Sequence, residues 1–78
     1  MPTVLRHGPY WFFFCSNEAG APMHVHVARD RDVAKFWLEP VRLQRSSGFR
    51  RAEINRISNL VEEHLEEIIE AWHGHFGT

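Results

Sequence analysis

Two histidines separated by one residue are the side chains whose types and spacing are best suited to chemistry. His24 and His26 stand in the segment PMHVHVARD (22–30), where they alternate with Val25 and Val27. This alternation predicts a β-strand with both imidazoles on one face and their Cα atoms about 6.6 Å apart. Three interpretations fit the spacing: an acid/base pair, a pair of metal ligands, or two structural or interface histidines.

Acid/base chemistry is the first interpretation. Histidine titrates near neutral pH, so one imidazole can serve as base and the other as acid when the 2′-hydroxyl of RNA attacks the neighbouring phosphate. Lys35, or an arginine of residues 42–51, would stabilise the negative charge that develops on the phosphate. His24 and His26 are therefore the predicted catalytic residues.

Metal binding by the same pair is the second interpretation. Two imidazoles could share a divalent cation, but zinc would need at least one further protein ligand. The sequence has no cysteine pair or HExxH motif to supply it, and spacing indicates neither His7 nor a particular glutamate. We therefore expect no cofactor, with a divalent metal such as zinc on His24 and His26 as the alternative.

Composition predicts one small globular domain from a reducing compartment. The chain has 78 residues, of which 44% are hydrophobic, enough for one core rather than disorder. Cys15 is the single cysteine, and its place in the most apolar segment predicts a buried, inert thiol. The aromatic run YWFFFC (10–15) is too short to span a bilayer. We expect a cytoplasmic protein with no membrane contact.

Strand patterns occupy the first half of the chain, and a helical pattern occupies the second. The predicted strands are TVLRH (3–7), YWFFFCS (10–16), MHVHVAR (23–29), DVAKFWLE (32–39) and a short edge piece VRLQ (41–44). Apolar residues then recur in steps of three and four from Ile54 to Phe76. An unbroken helix over residues 51–75 would be roughly 37 Å long, so we expect a bend or a contact with a second subunit.

The predicted fold is a single α+β domain over residues 1–78. A three- or four-stranded antiparallel sheet, within about residues 3–44, packs against the long C-terminal helix, and the chain forms a homodimer. Alternation places Val25, Val27, Phe36 and Leu38 beneath the helix and His24, His26, Lys35 and Trp37 on the opposite face. Strand 10–16 has aromatic residues on both sides, so the uncovered face exposes at least two of them beside Trp37. Such a patch fits a dimer interface, a platform for single-stranded nucleic-acid bases, or a surface that loops fold back to cover.

Charge is divided along the chain, although the formal net charge is -1. Arginines dominate residues 42–56, whereas residues 62–70 hold glutamates and no lysine or arginine. This division fits either an ordinary solvated surface or a basic region for an anionic partner. The predicted contacts for nucleic acid or a partner protein are Lys35, Trp37, Arg42, Arg45, Arg50 and Arg51.

Several segments together resemble a known family. They are FFFCSN (12–17), HVHV (24–27), AKFWLEPVRL (34–43), SGF (47–49) and EAWHGHFG (70–77). In this order they are similar to the short bacterial proteins of domain of unknown function 4160. The resemblance implies a small cytosolic α+β protein whose gene often lies beside another short gene, in pairs regarded as toxin–antitoxin modules. It implies no catalytic residues.

This chain departs from the family pattern at two places. Similar proteins often have a serine or threonine at position 50, which would cap the helix and form a capping box with Glu53, but here Arg50 stands there. The segment RDRD (29–32) lacks the glycine expected of a two-residue hairpin turn. Neither departure affects the two histidines.

Two classes of function remain open, and the sequence does not decide whether the protein is an enzyme. The first is a toxin–antitoxin-type protein that binds or cleaves RNA through the histidines, Lys35, Trp37 and the arginines of residues 42–51. The second is a non-enzymatic interaction module that binds a small protein encoded nearby. RNA binding through several arginines weakens steeply with salt, whereas an apolar interface hardly changes.

Overall fold

The computed structural model describes residues 3–18 and 20–77, and these residues form five strands and two helices. Met1, Pro2, Ala19 and Thr78 lie outside the described residues. In chain order the elements are β1 (Thr3–His7), β2 (Tyr10–Phe13), β3 (His24–Arg29), β4 (Asp32–Leu38), β5 (Val41–Ser47), α1 (Arg51–Glu63) and α2 (Leu65–Phe76). The strands form one antiparallel sheet in the order β1-β2-β3-β4-β5. The α+β architecture is confirmed.

The sheet is wider than the three or four strands predicted. β5 continues to Ser47 instead of stopping at Gln44, and β2 ends at Phe13 instead of Ser16. β5 is an edge strand whose side chains are exposed apart from half-buried Val41, so its sequence lacks the alternation that marks a half-buried strand. The chain after Phe13 leaves the sheet and forms the loop that leads to β3.

The single helix predicted over residues 50–75 is two helices. His64, with φ -104° and ψ 17°, separates α1 from α2, so the expected bend is confirmed. Each helix buries its own apolar residues against the sheet: Ile57 and Val61 from α1, and Ile68 and Trp72 from α2. The break lets both halves reach the core of a molecule that measures 34 × 22 × 21 Å.

The core lies between one face of the sheet and the two helices. Val25, Val27, Phe36 and Leu38 are fully buried there, as alternation predicted. The other buried strand residues on this face are Tyr10, Phe12 and Ala34, and Phe14, directly after β2, belongs to the same core. The aromatic residues on the opposite side of β2 are left outside the core.

Arg29 and Glu53 join the sheet to α1. Arg29 donates two hydrogen bonds to the Glu53 carboxylate, from Nε to Oε2 at 2.7 Å and from an Nη to Oε1 at 2.8 Å, and Tyr10 donates its hydroxyl to Oε2 at 2.8 Å. The hydrogen bonds from Arg29 and then Tyr10 lower the pKa of Glu53. Two-point arginine–carboxylate pairing fixes orientation as well as distance, so this contact positions α1 on the sheet.

The β3–β4 hairpin turns tightly without a glycine. β3 ends at Arg29 and β4 begins at Asp32, which leaves Asp30 and Arg31 as the loop. Asp30 takes the left-handed conformation, with φ 56°. Aspartate tolerates this region better than most residues because its short polar side chain can bond locally.

Candidate functional site

The surface of the sheet opposite the core is called here the outer face, and at one end its residue His24 packs against Trp72 of α2. Residues directly opposite each other in antiparallel strands project to the same side. Three cross-strand rows therefore make up this face: Arg6–Trp11–Ala28–Val33–Ser47, Phe13–His26–Lys35–Arg45, and His24–Trp37–Arg42. The rows contain both cationic and aromatic side chains.

Cations and aromatic rings are neighbours on the outer face. The guanidinium of Arg6 lies 5.0 Å from the ring centroid of Trp11, and the ammonium of Lys35 lies 5.2 Å from the ring of Trp37. Trp11 is 43% exposed although it is a large apolar residue. An exposed ring edged by cations can stack on a planar group while the cations meet an anion.

A hollow of about 220 Å³ lies in the middle of this face. Its lining includes the side chains of His26, Val33, Lys35, Arg45 and Ser47. The register between β4 and β5 shifts here, since Lys35 pairs with Arg45 whereas Phe36 pairs with Leu43. Such a bulge bends a strand and redirects its side chains. The hollow therefore offers an anionic group two cations and two neutral polar side chains.

The structure brings together four of the six residues predicted to contact nucleic acid or a partner. Lys35, Trp37, Arg42 and Arg45 all belong to rows of the outer face. Arg50 and Arg51 are exposed at the start of α1, away from these rows. The aromatic exposure expected beside Trp37 comes from Trp11 and, in part, from Phe13.

His24 is fully buried and holds contacts through both ring nitrogens. Its Nδ1 lies 2.8 Å from the carbonyl oxygen of Pro22, and its Nε2 lies 2.9 Å from Oε1 of Glu18. The ring also packs against Trp37 on the sheet and Trp72 on α2. Alternation placed His24 on the uncovered face of the sheet, but Glu18 and Trp72 contact it there and the residue is buried.

His26 meets the same carboxylate but keeps a small exposed surface. Its Nε2 lies 2.8 Å from Oε1 of Glu18, and its ring stacks on Phe13 with 5.3 Å between centroids. The side chain is 15% exposed. Burial lowers the pKa of His26 in spite of the nearby carboxylate. His26 is therefore neutral at pH 7 and donates its Nε2 hydrogen to Glu18.

Glu18 organises the pair, and sequence reasoning did not single it out. Its Oε1 receives both imidazoles, while its Oε2 lies 3.6 Å from the ammonium of Lys35. The hydrogen bonds from His24 and then His26 hold the pKa of Glu18 at about 2. A loop that joins neighbouring antiparallel strands has to pass close to the start of the second strand. Since Glu18 lies in the loop before β3, its place in the sequence could have indicated a position near the histidines.

Cys15 lies outside the strand in which it was predicted to be buried. It follows the end of β2 and is only half-buried. Its Sγ, a Glu18 carboxylate oxygen and a His26 ring nitrogen all lie within 4.8 Å of one another. Burial, and then the charge of Glu18, raise the pKa of the Cys15 thiol. This direction agrees with the prediction that the thiol is not an activated nucleophile.

The match to a known family covers the two histidines, Glu18, Cys15 and all of the outer face except Arg6. A family model described as Domain of unknown function (DUF4160) matches residues 10–73, from the first residue of β2 into α2. No curated protein and no solved structure matches the chain significantly. Within the described residues, neither helix has the length and apolar character needed to cross a membrane. Since the family model spans most of the 78 residues, the chain belongs to the DUF4160 family.

Proposed function

We propose that this protein binds single-stranded RNA across the outer face of its sheet, as one component of a toxin–antitoxin-type module. The observation that carries the proposal is the alternation of cationic and aromatic side chains on one exposed sheet surface. The similarity to a family whose genes often lie beside another short gene supports the second half of the proposal.

The layout of the outer face suits a strand with unpaired bases. Trp11 and Trp37 lie two strands and four residues apart in register, which corresponds to about 16 Å. Each ring can stack on a base without regard to its identity, at about 1–3 kcal/mol per base. A nucleic-acid strand that reaches both tryptophans would cross the row that contains His26 and Lys35 and pass beside the hollow. The stacked bases of a duplex are not available to such rings.

The cations of the face fit the phosphates of the same strand. Arg42 and Arg45 are exposed on β5, and Lys35 and Arg45 meet at the hollow. A phosphate in the hollow would also lie near His26 and Ser47, which can exchange hydrogen bonds with a ribose 2′-hydroxyl. This combination favours RNA over DNA as the ligand.

Cleavage of RNA by the histidine pair stays a prediction, and the burial of His24 restricts how it could occur. His24 has no exposed side-chain surface, so a bound RNA can reach only His26 unless the loop that carries Glu18 moves. Binding without cleavage therefore has the better support. Induced expression distinguishes the two: cleavage would degrade total RNA in the wild type and spare it in a folded His24→Ala/His26→Ala variant.

Binding is tested with a fluorescently labelled single-stranded RNA of mixed sequence, using anisotropy across a range of salt concentrations. We expect Arg42→Ala/Arg45→Ala to weaken binding and to reduce the slope of log K against log salt by about 1.4, because each lost phosphate contact removes about 0.7. The matched control is Arg31→Ala/Arg56→Ala, which also removes two exposed arginines. Arg50→Ala/Arg51→Ala should have a smaller effect than the β5 pair, since these residues lie at the start of α1.

The alternative function, a protein-binding module, gives a different result in the same assay. A folded wild-type protein that binds no RNA even at low salt would contradict the proposal. If a second copy of the chain covers the outer face instead, the protein should be a dimer whose dissociation hardly depends on salt. Equal losses in the β5 pair and the control pair would also contradict the proposed location.

A further inference from the structure

We propose that Cys15, Glu18 and His26 form a binding site for a zinc-class divalent cation, with His24 as its positioning residue. The proposal goes beyond RNA binding and does not depend on it. It is carried by the convergence of a thiol, a carboxylate and an imidazole at one edge of the outer face.

The three donor atoms are close to the separation that zinc requires. They lie within 4.8 Å of one another. Tetrahedral zinc, with bonds of about 2.3 Å to sulfur and about 2.0 Å to nitrogen or oxygen, holds such donors roughly 3.3–3.6 Å apart. Side-chain adjustments of about 1 Å therefore bring the three atoms onto one ion. The fourth position is left to water.

The types of donor favour zinc over the hard cations. Calcium and magnesium take oxygen ligands almost alone, whereas a thiolate with an imidazole suits zinc and its cobalt substitute. Cys15 supplies the sulfur, His26 the nitrogen and Glu18 the oxygen. The thiolate and the carboxylate together balance the two charges of the ion.

His24 holds the Glu18 carboxylate in place. Its Nε2 reaches Oε1 of Glu18, and its Nδ1 is fixed by the carbonyl oxygen of Pro22. Lys35 contacts the other carboxylate oxygen, Oε2, at 3.6 Å. Hydrogen bonds such as those of His24 orient the groups that bind a metal, and their loss typically weakens affinity about 10–100-fold.

The positions of the three donors in the chain indicate how a bound ion would affect the fold. Cys15 and Glu18 belong to the loop between β2 and β3, whereas His26 lies within β3. A bound ion would therefore fasten this loop to the sheet next to the hollow. Because the ion binds the folded chain, zinc should raise the melting temperature and a chelator should reverse the increase.

The experiment titrates the purified full-length protein with Co²⁺ and then with Zn²⁺ as competitor. A cobalt–thiolate bond gives a charge-transfer absorption in the near ultraviolet, and tetrahedral cobalt gives strong visible bands. We expect one ion per chain, both signals in the wild type, and their loss on addition of Zn²⁺. Cys15→Ser should abolish the thiolate band, and Glu18→Gln should weaken Zn²⁺ binding at least 10-fold.

Two further variants separate a specific site from general histidine binding. His73→Ala/His75→Ala removes two exposed histidines of α2 and should leave Zn²⁺ affinity unchanged. His24→Gln should weaken Zn²⁺ binding about 10–100-fold but keep the cobalt–thiolate band, because it removes support and not a ligand. Circular dichroism confirms that each variant is folded. Wild-type binding no tighter than that of folded Cys15→Ser, or a wild type without the thiolate band, would overturn the proposal.

Discussion

The imidazole of His24 meets the carboxylate of Glu18 with 2.9 Å between Nε2 and Oε1, at a point where the histidine has no exposed surface. This contact fixes the loop between β2 and β3 against the sheet. The two histidines of the pair therefore differ: His24 is buried, whereas His26 keeps a small exposed surface. The outer face beside it is where we expect the function of the protein to lie.

Trp11 tests the stacking role of the outer face. Trp11→Ala should reduce RNA affinity by about 1–3 kcal/mol, the value of one base stacked on one ring, with little change in melting temperature because the ring is exposed. The matched control is Leu43→Ala, which removes another exposed apolar side chain but pairs with the core residue Phe36. Anisotropy measures the affinity. Equal effects of both substitutions would contradict stacking on Trp11.

The start of α1 offers a gain in stability. Arg50 has the extended backbone of a helix N-cap, with φ -82° and ψ 162°, and its side chain makes no capping hydrogen bond within the described residues. Arg50→Ser should therefore raise the free energy of unfolding by about 1 kcal/mol. Glu53 is held by Arg29, so we expect a single cap rather than a capping box. Urea unfolding measures the gain, and Arg51→Ser, one residue into the helix, should not reproduce it.

Two glycines should respond to alanine in opposite directions. Gly48 has φ +98°, and an added Cβ would collide with the carboxylate of Asp32, so Gly48→Ala should cost about 1–3 kcal/mol. Gly74 lies inside α2 with open space around it, so Gly74→Ala should add about 0.5–1 kcal/mol. Thermal unfolding of the two variants side by side checks both values. A harmless Gly48→Ala would show that the left-handed turn after β5 is not required.

Protonation of the Glu53 carboxylate should lower the stability of the protein in acid. The folded-state pKa of this carboxyl lies below its usual value of about 4.3, so its contribution is complete above that value and is lost as the pH falls through the folded pKa. We expect Glu53→Gln to have a lower urea midpoint than the wild type at about pH 7. Between about pH 7 and pH 3, the midpoint of the variant should fall by less than that of the wild type. Glu70→Gln, an exposed substitution on α2, is the control. Identical pH profiles for wild type and Glu53→Gln would contradict this role.

Much of the fold follows from patterns that span a few residues. The alternation of Val25, Val27, Phe36 and Leu38 identified the buried face of the sheet because β3 and β4 each turn one side toward the core. The same reasoning failed for β5, since an exposed edge strand needs no apolar residues. It gave one helix instead of two because the apolar stripe continues past His64, and the break depends on how both halves meet the sheet.

The candidate site was only half visible in the sequence. His24 and His26 are recognised by spacing, because neighbours on one strand keep fixed positions. Glu18 and Cys15 reach them through the path of a loop, which local patterns do not determine. The burial of His24 by Trp72 likewise depends on the position of α2, far along the chain.

Nuclear magnetic resonance mapping of RNA binding tests the central claim most directly. Isotope-labelled protein is titrated with a short single-stranded RNA, and the shifts of the backbone and tryptophan indole signals are followed. We predict the largest changes at Trp11, Lys35, Trp37, Arg42 and Arg45, with the acidic surface of α2 unchanged. Changes concentrated on α1 or α2, or no changes at all in a folded protein at low salt, would contradict the claim that the outer face binds RNA.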